Sequence, residues 1–268
     1  MIVLKGLRIL STEKSNNKFV VIESFSDEFK KYISDELISI CYGNSDDLEL
    51  FDSYSYKNTV TEFIVRYESK SDIQKIGYIG ELLSQLLMRI INPELTPLSA
   101  FFNIEERNVK KGFDQVFYDS VINENWYIEV KSGLKGDKIT VEDKISSLVN
   151  SCVRDLKEKL SNQQNNVWNN AISHARFVID KNNKLKEAIF DVLDNDAIHS
   201  KNVSDYRVYL STILFHNHFE STSNLFIEEL IKKIKDKNIF KDTNFLLIQK
   251  STYIDIYNYI KSEVKTYD

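Results

Sequence analysis

Trp126-Tyr127-Ile128-Glu129-Val130-Lys131-Ser132-Gly133 is the stretch on which the fold turns. Side chains of a strand alternate between faces, so Trp126, Ile128 and Val130 share an apolar face and Tyr127, Glu129 and Lys131 share the other. A carboxylate and an ammonium then point the same way, about 6–7 Å apart along the strand. Ser132-Gly133 reads as the point where the chain leaves the sheet. Upstream, Phe113 to Tyr118 reads as a second strand, joined to the first by a hairpin connection through Asp119 to Asn125. A turn centred near Val121 and Ile122 places Asp114 across from Glu129, and such cross-strand neighbours sit about 4.5–5.5 Å apart. Two carboxylates that close repel in an apolar setting, and a divalent cation between them removes the penalty. Asp114 and Glu129 are therefore candidate metal ligands, for Mg²⁺ or for Mn²⁺ in its place. Lys131 is the candidate to position or deprotonate an attacking water and to stabilise charge on phosphate; as a base it would need its pKa lowered by burial.

Working outward, Asp72 to Ile91 carries apolar residues at helical spacing and ends before Pro93 and Pro97. Glu81 interrupts its apolar face, and a charge there needs a partner or a metal. Gly77 and Gly80 weaken the helix but would allow close approach to a strand, which could bring Glu81 to the sheet. Leu98 to Ile104 reads as a strand. A long helix follows from about Val141 to Leu160, then helical stretches to about residue 195. A strand at Tyr206 to Phe215, a helix at Ser223 to Lys235, a strand at Phe245 to Gln249 and a last helix complete the chain. This order describes an α/β fold, a mixed sheet flanked by helices. Residues 71–268 read as that domain with helical insertions. Residues 1–70 read as an N-terminal α+β extension, with strands at Met1 to Leu10 and Lys18 to Glu23. Its helix, Asp27 to Tyr42, is capped by Ser26 and stopped by Gly43.

A Glu-x-Lys strand taken alone is usually a solvated face, and Glu81 taken alone is more often a helix-surface residue. The specificity lies in the joint order: a Gly-Glu helix, a Gly-x-Asp strand, a hairpin, and an apolar strand ending in Glu-x-Lys. That order resembles the PD-(D/E)XK nuclease superfamily, although Phe113 replaces the proline of its name. The segments GYIGELLSQLLM, KKGFDQVFYD and WYIEVKSG resemble the HamA family of the Hachiman anti-phage system and its AbpA-like relatives. The resemblance implies a restriction-endonuclease-like core in which Glu81, Asp114 and Glu129 hold metal and Lys131 is the catalytic lysine. It also implies a defence nuclease acting on DNA with a superfamily 2 helicase, its HamB-like partner, which restrains it until damaged or phage DNA engages. The alternative is a catalytically silent DNA- or protein-binding subunit that keeps the fold.

The 268 residues, 42% hydrophobic and 28% charged, suit an ordinary globular protein. The net charge of −5 gives DNA binding no help, so any basic footprint must be local. Lys110 and Lys111 are the best phosphate-contact candidates. The mixture around Arg154, Lys157, Lys159 and Arg176, with Asp155 among it, reads as a solvated helix face. No run reaches the length of a membrane span and no secretion signal is present, so a cytoplasmic protein is expected. Cys41 and Cys152 read as two reduced thiols. His216 and His218 lack a third ligand and read as surface or interface residues. No Walker loop is present, so ATP hydrolysis would belong to a partner.

Overall fold

The computed structural model describes residues 4–11, 16–44, 48, 51–102, 112–161, 165–198, 202–216 and 222–264. Its strands are β1 (Leu7–Ser11), β2 (Lys18–Ile22), β3 (Leu95–Pro97), β4 (Gln115–Asp119), β5 (Glu124–Leu134), β6 (Arg207–Phe215) and β7 (Asp242–Lys250). They form one sheet in the order β1-β2-β7-β6-β5-β4-β3. The pairs β2–β7, β7–β6 and β6–β5 are parallel. Antiparallel pairs close both sides, β1–β2 at one and β5–β4–β3 at the other.

Alternation along each strand sorts the core into two layers. On one face Val20, Phe117, Ile128, Val130, Ile213 and Ile248 meet four helices. These are α1 (Asp27–Tyr42), α2 (Tyr56–Glu68), α3 (Asp72–Ile91) and α8 (Ile254–Val264). On the other face Phe19, Val116, Tyr127, Leu210 and Leu247 meet α4 (Val141–Ser161), α5 (Asn165–Val178), α6 (Lys186–Ile198) and α7 (Asn224–Lys235). The result is a helix–sheet–helix α/β sandwich, in which strands buried on both faces must be apolar throughout. The β1–β2 hairpin continues this sheet, and α1 and α2 share a core with α3, so these N-terminal elements supply one edge of the same sandwich.

Local sequence explains most boundaries. Ser26 Oγ accepts the Phe29 N–H at 3.2 Å, and Gly43 ends α1 with φ +94°, donating to Ser39 O. Gln74 reaches back to the Ser71 N–H at 3.0 Å to start α3. Helix α2, absent from the sequence reading, buries Val60, Phe63 and Tyr67 on one stripe.

Two expectations need correction. Residues 103–104 of the strand expected at Leu98 to Ile104 lie outside the described residues, and residues 98–102 are no strand, the strand here being the three-residue β3, which ends at Pro97. Beyond it, the Phe101 and Phe102 N–H groups turn away to the Ile40 and Cys41 carbonyls at the end of α1. Pro97 lies on the outermost strand, where no ladder donor is required of it. The chain also does not leave the sheet at Ser132-Gly133: β5 stays paired with β6 through Leu134↔Phe215.

Candidate active site

The β4–β5 hairpin pairs Gln115 with Ile128, so one further step of the same register sets Asp114 opposite Glu129. Asp114 is fixed there by its Oδ2, which accepts the Val130 N–H at 2.7 Å. Glu129 and Lys131 project from β5 on the face covered by α4, where the Cys152 thiol donates to the Glu129 carbonyl. Glu129 is 1% exposed, and both of its oxygens meet lysines. Lys131 Nζ lies 2.6 Å from Oε1 and Lys159 Nζ lies 2.6 Å from Oε2. Lys159 also reaches Asp114 Oδ1 at 3.3 Å, so a single ammonium bridges the two carboxylates. Lys131 is held on its other side by Asp155 at 3.0 Å.

Burial, reinforced by the neighbouring Asp114 charge, pushes the Glu129 carboxyl up to about 7 against the pull of the two lysines. Burial would lower Lys131, but Glu129, Asp114 and Asp155 outweigh it and hold the ammonium above its ordinary range. The same balance, with Asp114 and Glu129 outweighing burial, raises Lys159. Burial would raise Asp155, yet Lys131 and Arg154 keep it below its ordinary value. Lys131 is thus arranged as a cation in this site rather than as a base.

The sequence-derived set is divided. Asp114, Glu129 and Lys131 come together. Glu81 is half-buried on α3, whose apolar residues pack on the opposite face of β5, and its charge acts on Lys70 and Tyr78. Gly80 does allow the close approach expected of it: a Cβ there would stand 2.6 Å from the Ser132 Cβ. Gly77 plays no such part, since a Cβ there meets nothing within 4 Å. Among the described residues no three His, Cys, Asp or Glu side chains converge as a metal-ligand group.

Lys159 and Asp155 are what the sequence reading assigned to a solvated face. They stand four residues apart on α4, flanking the stripe of Cys152 and Leu156 that packs on the sheet. A helix following the Glu-x-Lys strand, with an acid and a base at that spacing beside its buried stripe, was the signal available. Lys110, Lys111 and His218 lie outside the described residues. His216 is buried at the end of β6 rather than on the surface, and its N–H donates to Lys250 O at 3.0 Å. Cys41 and Cys152 are buried free thiols. Among the described residues no helix is long and apolar enough to cross a membrane.

No curated protein and no solved structure matches the chain. Residues 5–264, nearly its whole length, match the family model for HamA, and the chain therefore belongs to the HamA family, a component of the Hachiman anti-phage system.

Proposed function

We propose that this protein is a metal-dependent nuclease that hydrolyses phosphodiester bonds in DNA, with Asp114 and Glu129 holding Mg²⁺ or Mn²⁺ and Lys131 serving the reacting phosphate and water. The observation that carries the reading is the buried Glu129 carboxylate sharing one cation with Asp114. Two acids so close together need positive charge, and the oxygens of Asp114 and Glu129 suit a hard divalent ion. The residues present therefore fit the metal, and the fit rests on two carboxylates. Glu81, beside Lys70 and on the far side of β5, gains no support as a third ligand from this arrangement.

When bound, the metal supplies charge to the phosphate oxygens and lowers the pKa of water. The chain's own residues do the rest. The β4–β5 hairpin fixes the spacing of the two carboxylates. Lys131, kept cationic by Glu129 and Asp155, offers its ammonium to the developing negative charge on phosphate. Lys159 neutralises the acids when nothing else does. Membership in a multisubunit defence system supports a protein partner, for which a superfamily 2 helicase is the proposal. A helicase would also supply the ATP hydrolysis for which this chain has no Walker loop.

The test is cleavage of plasmid and single-stranded DNA, with and without Mg²⁺, by the chain alone and with its co-encoded helicase. Cutting that needs metal and falls at least 100-fold in both Glu129→Ala and Lys131→Ala is expected. Cutting only in the presence of the helicase supports a restrained pair. No cutting in any combination, or cutting that survives both substitutions, overturns the site and favours a silent binding subunit.

A further inference from the structure

Beyond Lys131, the row of side chains on the α4 side of β5 continues towards the end of the strand. The register with β6 is unbroken from Trp126 to Leu134, so alternation puts Glu129, Lys131 and position 133 on one face. Position 133 is a glycine, and α4 fills the space that its side chain would take. A Cβ there would stand 2.9 Å from Lys144 Cε, 3.2 Å from Lys144 Nζ and 3.6 Å from Leu148 Cδ2. Lys144 therefore lays its stem across the β5 backbone and carries its ammonium onto the row, one pleat, about 6–7 Å, beyond the position of Lys131. The Lys135 N–H donates to Phe215 O at 3.1 Å, so the backbone keeps its course past Leu134 and Lys135 follows on the same side.

These lysines differ in what they face. Lys131 and Lys159 are committed to Glu129, Asp114 and Asp155. Lys144 is half-buried, yet its ammonium makes no ion pair or hydrogen bond with any described residue. Charges drawn in from solvent are usually paired, so an ammonium held this way, one pleat from the site, calls for an anion that arrives with the substrate. The spacing suits one: neighbouring phosphates on a strand of nucleic acid lie about one pleat apart. A chain of net charge −5 must also gather its positive charge locally to meet nucleic acid, and here ammonium groups succeed one another along a single strand, leading away from the acids. We propose, on the nuclease reading above, that Lys144 is a substrate-binding residue. It takes the phosphate next to the one at the site, and Lys135 the one beyond, so that the nucleic-acid strand leaves along β5 over Gly133.

The test is fluorescence anisotropy of a labelled single-stranded DNA oligonucleotide with the full chain, over a series of NaCl concentrations, with Ca²⁺ in place of Mg²⁺ to slow cutting. Lys144→Gln should weaken binding about three-fold or more and lower the slope of log Kd against log salt by about 0.7, the value for one phosphate contact on a single strand. Lys144→Arg keeps the charge and should restore most of both. Lys157→Gln, on the exposed side of the same helix, should change neither. A lysine that only covered Gly133 would alter Tm and leave the salt slope alone. A slope unchanged in Lys144→Gln, a slope lowered equally by Lys157→Gln, or no binding by the wild type overturns the proposal. Its failure is separable from that of the nuclease: metal-dependent cutting that needs Glu129 and Lys131, with the slope unchanged in Lys144→Gln, removes Lys144 from the substrate path and keeps the active site.

Discussion

Lys159 occupies the position where a metal ion would meet both carboxylates, 2.6 Å from Glu129 and 3.3 Å from Asp114. An ammonium and a divalent cation cannot both sit there, so on the proposed function Lys159 would compete with the metal. Replacing it by Met keeps the length and apolar stem of the side chain while removing the charge. Metal-free Lys159→Met should lose about 1.5–3 kcal/mol of stability, the worth of a hydrogen bond to a charged group, because Glu129 keeps Lys131 on its other oxygen. Mn²⁺ should restore more of that loss than it adds to the wild type, seen as a larger rise in Tm and a tighter Kd by calorimetry. A smaller rise in the variant would remove Lys159 from the metal position. Asp114, Glu129 and Lys131 were legible in the sequence because strand alternation and a short hairpin fix their geometry locally. Lys159 and Asp155 were not, because their place depends on how α4 rotates over the sheet, and a charge flanking an apolar stripe looks the same whether it meets solvent or Glu129.

The helices around β5 show where pattern reading succeeds and where it runs out. Helices α1, α3 and α4 were legible from their apolar spacing and, for α1, its caps. Helix α2 was missed although Ser55 caps it, because polar residues separate its buried Val60, Phe63 and Tyr67. Residues 98–102 were misread because only the Leu98 N–H donates to β4, at the Val116 carbonyl, before Phe101 and Phe102 turn to the end of α1. The two glycines of α3 separate two effects. An alanine at position 77 meets nothing, so Gly77→Ala should gain up to about 1 kcal/mol from helix propensity alone. An alanine at position 80 collides with the Ser132 Cβ at 2.6 Å, an atom that no rotamer change can move aside. Gly80→Ala should therefore lose about 1–3 kcal/mol. It should also reduce cleavage, because Ser132 adjoins Lys131. Urea unfolding of both variants decides it: a gain at position 80 would mean that α3 is free to move away from the sheet.

Across the whole molecule, the starts of three neighbouring strands are joined by one ion-pair network. Glu124 at the head of β5 takes both Arg207, at the head of β6, and Lys241, just before β7, and Arg207 also reaches Asp242 at 2.9 Å. These strands are parallel or far apart in sequence, so no turn fixes their relative register, and the network supplies a polar lock at that end of the sheet. Burial alone would raise the Glu124 carboxyl, but its hydrogen bonds to Lys241 and Arg207 prevail and hold it below its ordinary value. For an acid lowered in the folded state, the stabilisation is fully present above the unfolded pKa, near 4.5, and is lost as the pH falls through the folded value. Glu124→Gln should accordingly lower stability at pH 7 by about 1–3 kcal/mol, between the values for exposed and buried pairs. Its unfolding curve should converge on that of the wild type as the pH falls below 4.5 and on through the lowered folded value. A difference that stays constant from pH 7 to pH 3 would show that Glu124 acts through packing rather than charge. A loss that appears only in high salt would contradict the network, since screening must weaken the wild-type lock and narrow the gap.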